Sequence, residues 1–82
     1  MLTIKSMYNL RNVNPPIEFS KVTRIERAPD NHKNQNISIL YFYGAQADGF
    51  DKIVRTWFYK SESDRETELR RLREQYSSLF LS

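Results

Sequence analysis

Ile37-Ser38-Ile39-Leu40-Tyr41-Phe42-Tyr43 is the stretch on which the fold turns. It is too short for an ordinary helix and rich in β-branched and aromatic residues, so it reads as a strand. Its last four residues are apolar or aromatic without alternation. A strand with bulk on both faces is covered on both faces. Downstream, Gly44-Ala45-Gln46-Ala47-Asp48-Gly49 supplies a hairpin connection, with two glycines for positive φ. The return strand covers 50–60, with Ile53, Trp57 and Tyr59 on one parity and Val54, Thr56 and Phe58 on the other. The runs Tyr41-Phe42-Tyr43 and Trp57-Phe58-Tyr59 then pair across the hairpin.

After the hairpin, Ser63-Asp64-Arg65-Glu66 reads as a capping box, in which the Ser63 hydroxyl takes the Glu66 N–H and the Glu66 carboxylate reaches back. Leu69, Leu72, Tyr76 and Leu79 recur at spacings of three, four and three, one apolar stripe of a helix. Glu66/Arg70 and Arg70/Glu74 are spaced to support it from outside. A helix over 64–80 is about 25 Å long and the 50–59 strand roughly 33 Å, so one can lie along the other.

Upstream, Leu2 and Ile4 alternate with Thr3 and Lys5, the period of a half-buried strand within 2–9. Pro15 and Pro16 break the pattern. Ile17, Phe19, Val22 and Ile25 are the next apolar positions; their parity changes near Ser20-Lys21, where a bulge or short turn is expected. Residues 28–36 are polar and read as a surface loop. The expected fold is therefore α+β: a four-stranded antiparallel sheet with one C-terminal amphipathic helix packed on one face, order β-β-β-β-α, in a single domain over 1–82. In element order alone this resembles Whirly-type single-strand-binding modules, and that resemblance implies a unit of four strands and a helix that binds single strands and through which copies assemble.

The 82 residues carry a net charge of +3 and no cysteine. Disulfides and thiolate metal sites are thereby excluded. At this size a single core rarely supplies more than roughly 3–5 kcal/mol, so the five Tyr, five Phe and one Trp must anchor it or a partner's surface must help. The positive charge weakly favours acidic partners. No apolar run approaches the roughly 20 residues of a membrane span, and the N-terminus has no signal-peptide pattern; the expectation is a cytoplasmic protein with no membrane partner.

Candidate chemical sites have plainer readings. His32 is the sole histidine and sits beside Lys33 in the loop. Asp48 and Asp51 lack the oxygen ladder of a calcium loop. Ser61 and Ser63 precede a helix, where capping explains them. Glu62, Asp64, Glu66 and Glu68 complement the helix dipole. No glycine-rich phosphate loop exists. The expectation is a non-enzymatic protein with no cofactor.

Basic residues carry more information. Arg65, Arg70, Arg71 and Arg73 lie on the helix outside the leucine stripe, and Arg24, Arg27, Lys52 and Arg55 on predicted strands. With Tyr41, Tyr43, Trp57 and Tyr59 the strand set forms the candidate binding surface on the face away from the helix. Rings beside cations suit stacked bases and a phosphate backbone, which points to single-stranded nucleic acid or a nucleoprotein. The same rings suit a protein interface, as in a small inhibitor or adaptor of the kind mobile elements encode to modulate host machinery. Bulk on both sheet faces with one helix available also predicts a homo-oligomer, most simply a dimer.

Overall fold

The computed structural model describes residues 2–28 and 38–80. His32, with most of its loop, and the start of Ile37-to-Tyr43 lie outside the described residues. Two short strands, β1 (Thr3–Ile4) and β2 (Ile17–Glu18), pair as an antiparallel ribbon. Three longer strands, β3 (Arg24–Arg27), β4 (Ser38–Ala45) and β5 (Asp51–Tyr59), form an antiparallel sheet in the order β3-β4-β5. The helix α1 (Glu62–Gln75) follows, and a 3₁₀ turn, Ser77–Phe80, completes the chain.

The single four-stranded sheet expected from sequence is therefore corrected to a ribbon and a three-stranded sheet. Pro15 and Pro16 bring no N–H to a ladder, so the N-terminal segment does not run on beside β5 as a strand. A side chain stands there instead. Asn14 is fully buried. Its Oδ1 accepts from the Phe58 N–H at 2.6 Å and its Nδ2 donates to the Phe58 carbonyl at 3.0 Å. A carboxamide carries one acceptor and two donors, so here it serves as a one-residue strand neighbour. Nδ2 also reaches the Tyr8 carbonyl, and the Asn14 N–H bonds Asn9 Oδ1.

Beyond Asn14 the chain crosses the helix-bearing side of the sheet. The Trp57 indole donates to the Pro15 carbonyl at 2.9 Å. Ile17 and Val22 enter the core, while the expected irregularity near Ser20-Lys21 is a 3₁₀ turn, Phe19–Lys21. The crossing passes beneath Gly44, where an added Cβ would stand 2.6 Å from the Lys21 carbonyl. Gly44 thus lies inside β4 and is needed for space, not for a turn. Gly49, at φ 87°, is the turn glycine.

The core joins Leu40, Phe42 and Trp57 of the sheet to Ile4 and to the stripe Leu69, Leu72, Tyr76 and Leu79, all buried as the spacing predicts. Phe42 and Trp57 have ring centroids 4.4 Å apart. The helix starts two residues before its expected position. Its N-cap is Ser61, whose Oγ accepts from the Asp64 N–H at 3.1 Å. Glu66 does not turn back to Ser63, because Arg27 of β3 captures its carboxylate through Nε and Nη2; a bidentate guanidinium–carboxylate contact outcompetes a neutral cap. Among the described residues Arg70 pairs with neither Glu66 nor Glu74. The helix also stops at Gln75. Tyr76 leaves helical geometry, and the 3₁₀ turn returns Leu79 to the core.

Two substitutions test this packing. Leu72→Asp places an unpaired carboxylate at a fully buried position, at a cost of several kcal/mol against the small total that a domain of this size has; circular dichroism at room temperature should show most molecules unfolded. Asn14→Ala leaves the Phe58 N–H and C=O without their partner and should cost about 2–4 kcal/mol, read as a lower denaturant midpoint with an unchanged m-value.

Candidate functional site

Register decides which side chains share a face. Tyr41 stands opposite Thr56 and Glu26, and Tyr43 opposite Ile53 and Arg24. A bulge in β5 falls between the partners of Phe42 and Tyr43, so that Arg55 faces Phe42, Ile53 faces Tyr43, and Val54 is the extra residue. The bulge reverses the parity of β5. Ile53 consequently joins Thr56 and Phe58 on the side away from α1, while Trp57 and Tyr59 turn inward. The outer face carries Arg24, Glu26, Ile39, Tyr41, Tyr43, Ile53, Thr56 and Phe58. Ile53 is 47% exposed and Phe58 44%.

The eight candidate residues thus divide. Only Arg24, Tyr41 and Tyr43 lie together on the outer face. Trp57 is 0% exposed and Tyr59 3%, so neither is placed to stack on a base. They face inward because they stand opposite Leu40 and Ser38, on the face that β4 turns toward the core; the bulge, which the strand's alternation does not reveal, parts Ile53 from them. Arg27 lies opposite Leu40, on the other parity, and is tied to Glu66 of the helix. Lys52 lies opposite Gly44 and is 3.6 Å from Asp48 in the hairpin turn. Arg55 shares the helix-bearing face with Phe42.

On the outer face Arg24 is heavily engaged. Its guanidinium lies 3.9 Å from the Tyr43 ring centroid, a cation–π contact. Nη1 donates to Asp51 at 2.8 Å, and Glu26 is 3.2 Å from Nε. Tyr41 and Tyr43 meet edge to face at 6.4 Å. The surface is therefore aromatic and apolar, with one cation balanced by two carboxylates.

Behind the sheet lies a polar centre that sequence reading assigns only to the helix dipole. Glu68 is fully buried. Its Oε1 accepts from the Tyr59 hydroxyl at 3.1 Å and its Oε2 from the Met7 N–H at 3.0 Å. Arg71 Nη2 is 3.5 Å from Oε2 and donates to the Lys5 carbonyl at 2.5 Å. Burial, then the Glu68 carboxylate, holds the Tyr59 phenol far above its ordinary pKa. The Arg27 hydrogen bond holds the Glu66 carboxyl below its ordinary range. A buried acid at position 68 was detectable only as the one carboxylate beside the leucine stripe, one residue before Leu69.

The remaining candidates take structural roles. Asp48 accepts from the Phe50 N–H in the turn, Asp51 holds Arg24, and the Ser63 carbonyl accepts from Thr67. Among the described residues no group of three or more His, Cys, Asp or Glu side chains is disposed to hold a metal ion, and no helix is long and apolar enough to cross a membrane. No family model, curated protein or solved structure matches the chain. The likeness in element order to Whirly-type modules also lapses, because β1 and β2 are not strands of the main sheet.

Tyr59 gives this region a pH signature. A phenol whose folded pKa is raised contributes stability that is complete below its unfolded value, near pH ~10, and is lost as pH rises beyond it. Tyr59→Phe should lower stability at neutral pH by about 1–3 kcal/mol, since Glu68 Oε1 loses its donor. It should also flatten the alkaline decline relative to the parent, read as the difference between the two melting curves across that range.

Proposed function

We propose that the protein is a non-enzymatic binding module whose working surface is the outer face of the β3-β4-β5 sheet, and that its partner there is a protein, in the simplest case a second copy of itself. The observation that carries this reading is the cluster of Ile53, Phe58, Tyr41 and Tyr43 on a sheet face that no other element of the described chain covers. Contiguous apolar surface of this kind marks interaction sites. Arg24 beside Glu26 and Asp51 gives the face both signs of charge, as an isologous contact needs, since each copy must present what the other requires. Non-enzymatic action is supported by how the hydroxyls and carboxylates are spent: Ser61 caps a helix, Asp48 a turn, and Glu68 a buried network.

The single-stranded nucleic-acid reading loses support from the same geometry. Backbone tracking needs several cations along one surface. Arg27, Lys52 and Arg55 lie on the other parity of the sheet, and Arg24 is neutralised by its neighbours.

Sedimentation of the purified protein at micromolar concentration tests the proposal. The parent should self-associate. Ile53→Lys puts a charge into the patch and should weaken association at least tenfold, about 1.4 kcal/mol, with little change in melting temperature because Ile53 is outside the core. A parent that stays monomeric, yet binds a labelled single-stranded oligonucleotide with a salt slope near −0.7 per phosphate, would replace this reading with the nucleic-acid one.

A further inference from the structure

The chain crossing beneath Gly44 and the far end of the β4–β5 hairpin enclose a groove on the helix-bearing side of the sheet. Its walls include Glu18, Ser20 and Lys21 from the crossing and Gln46, Val54 and Arg55 from the hairpin. Its volume is about 680 Å³, within the roughly 300–1,000 Å³ of small-molecule sites. It does not involve the outer face, so it stands independently of the protein-binding proposal.

Arg55 is the unexplained residue in this groove. Among the described residues three guanidinium Nε atoms are buried without a well-aligned hydrogen bond, those of Arg24, Arg55 and Arg71, although Arg24 Nε has the Glu26 carboxylate 3.2 Å away. Arg24 and Arg71 use their terminal nitrogens on Asp51 and on the Lys5 carbonyl. The Arg55 side chain makes no hydrogen bond or ion pair with any described residue. A guanidinium is always charged, and burying one of its donors without an acceptor is unfavourable. Lys21 adds a second cation; Glu18 lies 3.9 Å from it, at the long limit of an ion pair. The charged lining is two cations against one carboxylate, with the Ser20 hydroxyl and the Gln46 amide, whose Nε2 also reaches the Gly44 carbonyl at 3.5 Å, as neutral donors.

We propose that this groove binds a small phosphate-bearing ligand, with Arg55 as the main contact and Lys21 as the second. The guanidinium fork matches two oxygens of a phosphate. Two cations and two neutral donors offer more hydrogen bonds than the two oxygens of a carboxylate accept, and suit a tetrahedral dianion. The volume exceeds that of the ion, so an organic group attached to the phosphate is accommodated.

NMR titration of the ¹⁵N-labelled full chain with inorganic phosphate, at ionic strength held constant with chloride, tests this. The Arg55 Nε–Hε signal and the Lys21 and Gln46 amides should shift saturably. Arg55→Gln should weaken binding at least tenfold and Lys21→Gln severalfold, while Arg73→Gln, on the exposed side of α1, should leave it unchanged; the amide spectrum reports whether each variant is folded, and the Lys21 variant keeps the test open if the Arg55 variant is not. Ribose 5-phosphate binding through the same residues, at least as tightly as inorganic phosphate, supports an organic phosphate as the ligand. Linear shifts, shifts spread over all exposed arginines, acetate binding as well as phosphate, or a folded Arg55 variant that still binds would overturn the proposal.

Discussion

A carboxylate with no exposure to water holds this small fold together. Glu68 projects from α1 into the interior and is met there by the Tyr59 hydroxyl of the sheet, the Met7 N–H of the N-terminal segment and, at longer range, Arg71. A carboxyl group so placed is tolerable only when its lone pairs are occupied. The requirement fixes three separate parts of the chain around one point. It ties the N-terminal segment, which contributes just two short strands of its own, to the helix and the sheet. With that segment in place, Asn14 reaches Phe58 and the Pro15 carbonyl reaches Trp57. In a domain with no disulfide, buried polar bonds of this kind supply the positional definition that a thin apolar core does not.

Several elements were readable from residue pattern. The helix, its apolar stripe and the β4–β5 hairpin follow from spacings of three and four and from the aromatic runs, because periodicity reports burial directly. The errors arise where a single residue does a job that pattern does not express. Val54 is one extra residue in β5, and it puts Ile53 on the opposite face from Trp57 and Tyr59, with which simple alternation groups it. Asn14 looks like a loop residue before two prolines, yet its side chain bonds the Phe58 N–H and C=O as a neighbouring strand would. Ser61 caps the helix in preference to Ser63 because Arg27, distant in sequence, draws Glu66 away. Each case depends on a long-range partner, which is the information that local pattern lacks.

The candidate surface was legible in type but not in membership. A sheet with more rings than one helix can cover was evident from Tyr41-Phe42-Tyr43 and Trp57-Phe58-Tyr59. Which rings and which cations lie outside was decided by cross-strand register, with the bulge altering it only for Ile53 and Lys52. The outward-facing rings and the strand cations thus occupy different faces of the sheet, Arg24 excepted. Aromatic and apolar side chains collect on the outer face around a neutralised Arg24. Arg27 is used in cohesion between β3 and α1, Lys52 in the turn, and Arg55 faces a groove on the opposite side. A net charge of +3 is therefore no description of any one surface of the molecule.

The Asn14-Pro15 pair has a bearing on how the protein ages. Asparagine side chains deamidate chiefly when the nitrogen of the following residue attacks the carboxamide and closes a succinimide ring. Proline has no hydrogen on that nitrogen to give up, and burial of Asn14 further keeps the amide from the required approach. The conversion matters here more than at most sites, because an aspartate would set an acceptor against the Phe58 carbonyl, where the amide now donates. The residue that replaces a strand is thus protected, by its neighbour, from the slow reaction that would turn its hydrogen bond into a repulsion.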